Sequence, residues 1–208
     1  MKGFFITFEG TEGSGKTTVI EKVEQYYINK GYQVIRTREP GGSKIAEDIR
    51  NVILDVSNTA MDSITEAMLY AASRRQHLVE KVIPYLEKGY IVLCDRFIDS
   101  SLAYQGYARG LGIDKVYQMN LMATNGLLPD VTIYVDVRPE VGLSRIKSNN
   151  REQNRLDLEK LSFHQNVYDG YHKVAEMFKE RFKVINGEQP RELVLSDTLK
   201  VLDEIIND

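Results

Sequence analysis

Residues 4–18, FFITFEGTEGSGKTT, constrain the chain most, because an apolar run leads into a glycine-rich turn. Gly10 and Gly15-Lys16-Thr17 have the spacing G-x-x-x-x-G-K-[ST], which predicts a buried strand, a tight turn and a helix opening at Lys16. Glycine lets backbone N–H groups close around phosphate oxygens, and the helix N-terminus adds its dipole. The stretch therefore predicts that the chain binds a nucleoside triphosphate through Gly10, Thr11, Glu12, Gly13, Ser14, Gly15, Lys16, Thr17 and Thr18. In that motif the lysine meets the β- and γ-phosphates and the threonine hydroxyl binds Mg²⁺.

Strand-like and helix-like segments alternate along the rest of the chain. Apolar runs predict strands at about 3–9, 33–37, 91–94, 131–135 and 182–185. Helical patterns lie between them, at about 15–29, 45–53, 63–88, 100–109, 113–125, 139–148, 159–179 and 190–206. Pro84 should bend the long third helix, and Pro40 allows a cis peptide bond in its loop. The alternation predicts one α/β domain over residues 1–208, a five-stranded parallel sheet with helices on both faces.

Bulk properties exclude several classes of protein. A net charge of −3 with 27% charged residues predicts no polynucleotide partner. The single cysteine rules out an internal disulfide framework and suits a cytoplasmic location. The chain opens directly into its first strand without a signal peptide, and no apolar run approaches the length of a membrane span.

The remaining motifs favour a kinase with a small acceptor over other nucleotide-binding classes. A GTPase switch needs the motifs D-x-x-G and N-K-x-D. The first is absent from the sequence, and residues 154–157 (NRLD) match the second only imperfectly. Four arginine-bearing segments could surround two polyanions, at residues 38–42, 73–75, 95–97 and 145–155. The rivals are a kinase for another nucleoside monophosphate, a deoxynucleoside kinase, and a nucleotide-binding regulator that has no acceptor.

Two strand ends offer a carboxylate for Mg²⁺. Asp95 and Asp136 each end an apolar run, and Asp95 is favoured because Arg96 beside it would face the same phosphates. Cys94 is expected to pack in the core. The histidines, His77, His164 and His172, lack metal-ligand spacing with one another.

Three stretches together resemble the bacterial thymidylate kinase family of P-loop nucleoside monophosphate kinases. They are residues 8–17 (FEGTEGSGKT), 37–42 (TREPGG) and 95–106 (DRFIDSSLAYQG). The resemblance covers essentially the whole chain. It implies Mg-dependent transfer of the ATP γ-phosphoryl to thymidine monophosphate, which gives thymidine diphosphate for dTTP synthesis, and it implies a homodimer.

The resemblance also implies a set of acceptor-binding residues. Glu12 would bind the sugar 3′-hydroxyl, Tyr70 would stack on thymine where the family more often has Phe, and Tyr104 would exclude a 2′-hydroxyl. The remaining roles divide as follows: Arg38, Arg50 and Arg96 hold the 5′-phosphate, Glu39 helps around Mg²⁺, and Arg74, Gln105 and Ser101 meet the polar edge of the base.

A basic lid is implied over about 145–157, since the P-loop carries no arginine in its variable positions. Its cations are Arg145, Lys147, Arg151 and Arg155. The last two lie on a polar interruption between helices, and we expect them to act on the transition state along with Lys16. The sequence does not decide which lid arginine reaches the transferring phosphoryl.

Overall fold

The structure, a computed structural model, describes residues 3–147, 155–156 and 158–206. Five strands form one sheet: β1 (Phe4–Glu9), β2 (Val34–Arg38), β3 (Ile91–Asp95), β4 (Val131–Asp136) and β5 (Phe182–Asn186). All pairs are parallel, in the order β2-β3-β1-β4-β5. The carboxyl ends of β1 and β3, neighbouring strands that carry Glu9 and Asp95, therefore meet at one edge of the sheet.

Helices connect the strands in sequence. They are α1 (Lys16–Asn29), α2 (Lys44–Leu54), α3 (Ser63–His77), α4 (Ile83–Glu87), α5 (Ile98–Ser101), α6 (Ile113–Thr124), α7 (Pro139–Lys147), α8 (Leu161–Met177) and α9 (Arg191–Ile206). Two π-helical segments, Leu78–Val82 and Leu102–Ala108, join α3 to α4 and extend α5. The first ends just before Pro84, which has no N–H for the regular helical bond.

Each strand sends alternate side chains to opposite faces of the sheet, and both faces are buried. Phe5 and Val92 pack on one face against the helix α8 and the π-helical segments, while Phe8 and Leu93 pack on the other face against α1 and α9. This two-sided burial is why the strand sequences are nearly continuous apolar runs. The predicted α/β class, the five strands and their helical cover are confirmed, and the peptide bond before Pro40 is cis.

Across the described ranges, no helix combines the length and the apolar character needed to cross a membrane.

Candidate active site

A cleft of about 540 Å³ lies along the carboxyl edge of the sheet. The P-loop forms one end, and α3 and the segment after β3 line the other. The described residues that line it include most of the predicted site: Glu12, Gly13, Ser14, Gly15, Lys16, Thr17, Thr18, Arg38, Glu39, Arg50, Tyr70, Arg74, Asp95, Arg96, Ser101, Tyr104, Gln105 and Arg145. Sequence-distant segments thus meet in one site.

The P-loop encloses the ammonium group of Lys16. Gly15 precedes α1 at φ 92°, in the left-handed region that favours glycine. Lys16 Nζ donates to the carbonyl oxygens of Gly10 at 2.9 Å and Thr11 at 3.0 Å. Burial, followed by the charge of Arg96, lowers the pKa of Lys16 to about 8. A polyphosphate bound in this loop would bring the negative charge that favours the protonated lysine.

The helix α7 packs against the P-loop backbone to backbone. A Cβ on Gly142 would lie 2.1 Å from the carbonyl oxygen of Glu12, and one on Gly13 would lie 2.1 Å from the carbonyl oxygen of Gly142. Side chains do not tolerate such distances, so this contact requires glycine at both positions. The start of α7, which leads into the predicted lid, is thereby fixed against the loop.

A carboxylate lies beside the P-loop threonine. Thr17 Oγ1 donates to Asp95 Oδ2 at 3.4 Å, and the buried Asp95 Oδ1 has no hydrogen-bond partner among the described residues. A buried carboxylate oxygen without a donor is costly, and hard cations prefer such oxygens. The alternative, Asp136, lies 3.5 Å from His172 and is not among the described residues lining the cleft. The donor set at Thr17 and Asp95 therefore fits Mg²⁺.

Arg96 turns into the cleft through a strained backbone. Its φ is 68°, a conformation that costs a non-glycine residue about 1–3 kcal/mol. The backbone N–H of Arg96 donates to Phe8 O at 2.9 Å, and its guanidinium donates to Glu12 at 2.9 Å, Tyr171 at 3.0 Å and Ser100 at 3.2 Å. These bonds hold the strained turn and fix the cation between the P-loop and the other end of the cleft.

Glu9 forms hydrogen bonds with Ser100 and Tyr171, two of the residues that Arg96 contacts. It is fully buried at the end of β1 and accepts hydrogen bonds from the N–H groups of Phe97 (2.7 Å) and Ser100 (3.2 Å) and from the hydroxyls of Ser100 (2.5 Å) and Tyr171 (2.9 Å). Burial, then the charge of Asp99, raises the pKa of Glu9 to about 7. Glu9 therefore orients the two hydroxyl groups that Arg96 also contacts.

Two more arginines converge on one carbonyl group. Arg38 Nη1 and Arg50 Nη1 donate to Pro40 O at 3.0 and 2.9 Å, and Glu47 lies 3.0 Å from Arg38. Burial and the charge of Arg38, with a smaller effect of Arg96, lower the pKa of Arg50 against the opposite effect of Glu47. Cations held this close are suited to a dianion such as a phosphate monoester.

Among the residues that the structure describes, Arg74 is the largest fully buried side chain. Its Nε donates to Glu39 Oε2 at 2.7 Å, Nη1 donates to Ser101 at 3.1 Å and to Asn120, and Nη2 donates to Phe97 O at 2.8 Å. The described residues thus use four of the five guanidinium N–H groups, and one N–H on Nη2 has no partner among them. Arg74 is consequently a charge-paired residue that can offer a single hydrogen bond to a ligand.

The far end of the cleft is lined by aromatic and amide groups. Tyr70 is 9% exposed and Gln105 is 1% exposed, and both line the cleft beside Arg74. Tyr104 donates from its hydroxyl to Glu12 Oε1 at 3.2 Å, and the Arg96 guanidinium lies 5.2 Å from its ring centre. The pocket therefore suits a flat ring with polar edges, next to the convergent arginines.

Comparison with known proteins identifies the family. The thymidylate kinase family model matches residues 8–198. A thymidylate kinase from Bacillus velezensis is 59% identical over 207 residues, covering 99% of this chain and 98% of the relative, and one from Oceanobacillus iheyensis is 57% identical, covering 100% and 93%. A crystal structure of thymidylate kinase from Ehrlichia chaffeensis superposes with a TM-score of 0.78 at 33% identity, covering 97% of this chain and 99% of that one.

The chain belongs to the thymidylate kinase family. Its enzyme class is therefore that of a nucleoside monophosphate kinase, a phosphotransferase, and its sheet has the P-loop kinase fold.

Glu39, for which the family resemblance implies a role around Mg²⁺, lines the cleft and is hydrogen-bonded within the protein. Both of its carboxylate oxygens are engaged, Oε2 by Arg74 and Oε1 by His77 Nδ1 at 2.8 Å. His77 Nε2 in turn lies 2.7 Å from Thr37 Oγ1. Glu39 thus lines the cleft and orients Arg74, and Thr17 and Asp95 carry the donor set that fits the metal.

Glu39 and His77 also lie close to Cys94, with their ligand atoms within 4.8 Å of one another. The spacing of histidines in the sequence gave no sign of this group. Both His77 nitrogens and both Glu39 oxygens already have hydrogen-bonding partners, and Cys94 Sγ donates to Arg96 O at 3.2 Å. The group is a satisfied polar core rather than an open metal site.

Of the four predicted lid cations, the structure describes the side chains of Arg145 and Arg155. Arg145 donates to Gly187 O at 3.2 Å and lines the cleft. Arg155 donates to Ile53 O at 2.9 Å and to Glu66, which also accepts from Gln105, so Arg155 lies near the far end of the cleft. Arg151 and the side chain of Lys147 lie outside the described residues.

Sequence reasoning missed Glu9, Glu66 and Tyr171 as contributors to the site. Glu9 offered a signal, because it is the one charged residue in a run that should be buried. Glu66 and Tyr171 offered none, since single polar positions on a helix are ordinary and only the folded chain brings them to the cleft.

Proposed function

We propose that the chain transfers the γ-phosphoryl group of ATP to thymidine monophosphate, with Mg²⁺, and releases ADP and thymidine diphosphate. One observation carries the proposal: Arg38, Arg50 and Arg96 line the same cleft as the P-loop, and we infer that they bind a second anion there. A hydrolase or a regulator needs one polyphosphate site, whereas a monophosphate kinase needs two anion sites that face each other.

The protein's contribution is positioning and charge. Lys16 and the backbone N–H groups at the start of α1 bind the β- and γ-phosphates, and Thr17 with Asp95 would hold Mg²⁺. When bound, the ion neutralises phosphate charge. Arg96 belongs to the second anion site and also donates to Glu12 of the P-loop, where it can hold the acceptor oxygen in line with the transferred phosphoryl group.

The acceptor's sugar and base find partners in the same cleft. Glu12 and Tyr104 are hydrogen-bonded to each other near Arg96, where a sugar would follow the 5′-phosphate. Tyr70 offers its ring for stacking, with Arg74 and Gln105 at the polar edge of the base and Ser101 bound to Arg74. In this proposal the aromatic ring of Tyr104 excludes a ribose 2′-hydroxyl.

The arginines also separate the proposal from its rivals. A deoxynucleoside kinase has an acceptor without phosphate, so Arg38, Arg50 and Arg96 would line the cleft with no acceptor anion to bind. Another monophosphate kinase would share the arginines and differ only at the base pocket.

The test is ADP release with a panel of monophosphates that carry thymine, uracil, cytosine, adenine and guanine. We expect thymidine monophosphate to give the highest kcat/KM, with deoxyuridine monophosphate poorer, because the lost 5-methyl group is worth about 1 kcal/mol. A highest kcat/KM for a purine or cytosine nucleotide would refute the substrate assignment, and ADP release that needs no acceptor would refute the kinase.

We also propose a cytoplasmic homodimer. The helices α2, α3 and α6 pack together, and each carries exposed apolar side chains, among them Ile45, Val52, Ile64, Met68 and Met122. The single cysteine, Cys94, is buried and free, which suits a reducing compartment. Sedimentation of the protein and of a Met68→Glu variant tests the dimer, which should weaken in the variant.

A further inference from the structure

Glu66 is a buried carboxylate at the base end of the cleft, in the first turn of α3. It is 1% exposed and lies one helical turn before Tyr70. It accepts hydrogen bonds from Gln105 Nε2 at 2.8 Å, from Arg109 Nε and Nη2 at 3.3 Å each, and from Arg155. None of the family-derived roles uses this residue.

Hydrogen bonds and the charges of Arg109 and Arg155 favour the ionised form of Glu66. Burial pushes the pKa of its carboxyl group upward, but hydrogen bonds from Gln105 and Arg155 and the charge of Arg109 outweigh burial and lower the pKa. An ionised carboxylate can only accept hydrogen bonds. A neighbouring amide must therefore turn its NH₂ group toward Glu66.

This requirement fixes the orientation of Gln105. With Nε2 committed to Glu66, the amide oxygen is the atom left for a ligand, and no described residue donates to it. Arg74 offers one remaining N–H at the same end of the cleft. The pocket thus presents one acceptor and one donor to the edge of a base.

We propose that Glu66 is a positioning residue for base choice, which locks Gln105 with its oxygen toward the base. The proposal rests on the function proposed above. Thymine matches the locked pattern, since its N3–H can donate to Gln105 while its O4 accepts from Arg74. Cytosine reverses both groups, with an acceptor at N3 and an amino donor at C4.

The test is the ratio of kcat/KM for thymidine monophosphate to that for deoxycytidine monophosphate, in wild type and in Glu66→Gln. In the variant, Arg109 and Arg155 would hold the new amide oxygen, so its NH₂ group would face Gln105. Gln105 would then turn its own NH₂ group toward the base, and the ratio should fall about 10- to 100-fold.

The matched control is Glu159→Gln. Glu159 is the other carboxylate that pairs with Arg109, at 2.6 Å, but it has no contact with Gln105 among the described residues. This variant should keep the wild-type ratio. In a Gln105→Ala background, Glu66→Gln should no longer change the ratio, because the amide that it orients is absent.

A purely structural role for Glu66 would lower kcat/KM for both nucleotides alike, and an unchanged ratio in Glu66→Gln overturns the inference. If Glu66→Gln does not fold, Glu66→Asp is the second variant. It keeps the negative charge beside the arginines, but its carboxylate lies farther from Gln105 by the length of one methylene group. Its ratio must also fall, and an unchanged ratio again overturns the inference. If the wild-type protein does not phosphorylate thymidine monophosphate, the proposed function and this inference are both refuted. If the wild type is active and the Glu66 variants keep its ratio of kcat/KM values, the inference alone is refuted.

Discussion

Replacing Glu9 with glutamine should change how the stability of the protein depends on pH. The pKa of Glu9 is raised from 4.5 to about 7, mainly by burial and then by Asp99. A carboxyl group with a raised pKa binds its proton more tightly in the folded state than in the unfolded state. Its ionisation therefore costs stability: the cost is absent below pH 4.5, grows as pH rises, and is complete above about pH 7.

The size of the effect follows from the shift. At 1.36 kcal/mol per pKa unit, a rise from 4.5 to about 7 corresponds to about 3 kcal/mol, of which about 2–3 kcal/mol develops between pH 5 and pH 8. Glutamine does not titrate, and the hydroxyls of Ser100 and Tyr171 can rotate to accept from its NH₂ group. Relative to the variant, wild type should lose about 2–3 kcal/mol of unfolding free energy over that interval.

Urea unfolding of both proteins at pH 5, 6, 7 and 8 measures the difference directly. Glu176→Gln is the control, because Glu176 is exposed on α8 and its replacement should leave the pH dependence as in wild type. A difference between wild type and Glu9→Gln that stays constant with pH would refute the reasoning. A difference of opposite sign would mean that the four donors around Glu9 outweigh its burial.

Four further outcomes are expected. Lys16→Ala should abolish most turnover in steady-state assays yet keep the wild-type far-UV circular dichroism, because one such cation is worth several kcal/mol at the transition state; near-normal turnover would contradict the assignment. The pKa of Lys16, about 8 in the free protein, should rise when phosphate binds beside it, so ATP binding above about pH 8 should take up a proton at Lys16. Calorimetry in buffers of different ionisation enthalpy detects this uptake, and a binding enthalpy that does not depend on the buffer would exclude it. Tyr104→Ala should raise kcat/KM for uridine monophosphate relative to thymidine monophosphate, and an unchanged ratio would remove its role at the sugar. Arg151→Ala should lower kcat strongly and change thymidine monophosphate affinity little, whereas lost affinity at unchanged kcat would place this arginine at the acceptor.

Most of the fold was predictable because its signals are local. The P-loop spacing fixes β1, the turn and α1, and apolar runs bounded by turns mark the other four strands. The π-helical segment Leu78–Val82 was foreseen only as a bend at Pro84, since periodicity does not distinguish a widened turn from a kink. The segment Leu102–Ala108 has no such marker, and its shape depends on packing against α8 and α6.

Site residues were predictable where a sequence motif assigns them a role. They were not predictable where the role depends on a partner that is distant in the sequence. Lys16, Thr17 and Asp95 follow from a motif and a strand end, and the structure brings them together. Glu39 and Arg74 could be named from the family resemblance, but their mutual salt bridge joins the loop after β2 to α3 and depends on tertiary contacts. Because of that bridge, a base that mismatches Arg74 leaves one N–H without a partner, whereas the charge itself remains paired with Glu39.

The backbone contact between Gly13 and Gly142 has a genetic consequence. Position 142 lies outside the nucleotide motif, yet any side chain there would collide with the carbonyl oxygen of Glu12 and displace the loop that binds phosphate. In a saturation scan scored by cell growth, position 142 should therefore tolerate as few replacements as the motif glycines. Since a side chain at position 13 would itself collide with the carbonyl oxygen of Gly142, a second substitution there should not rescue the first.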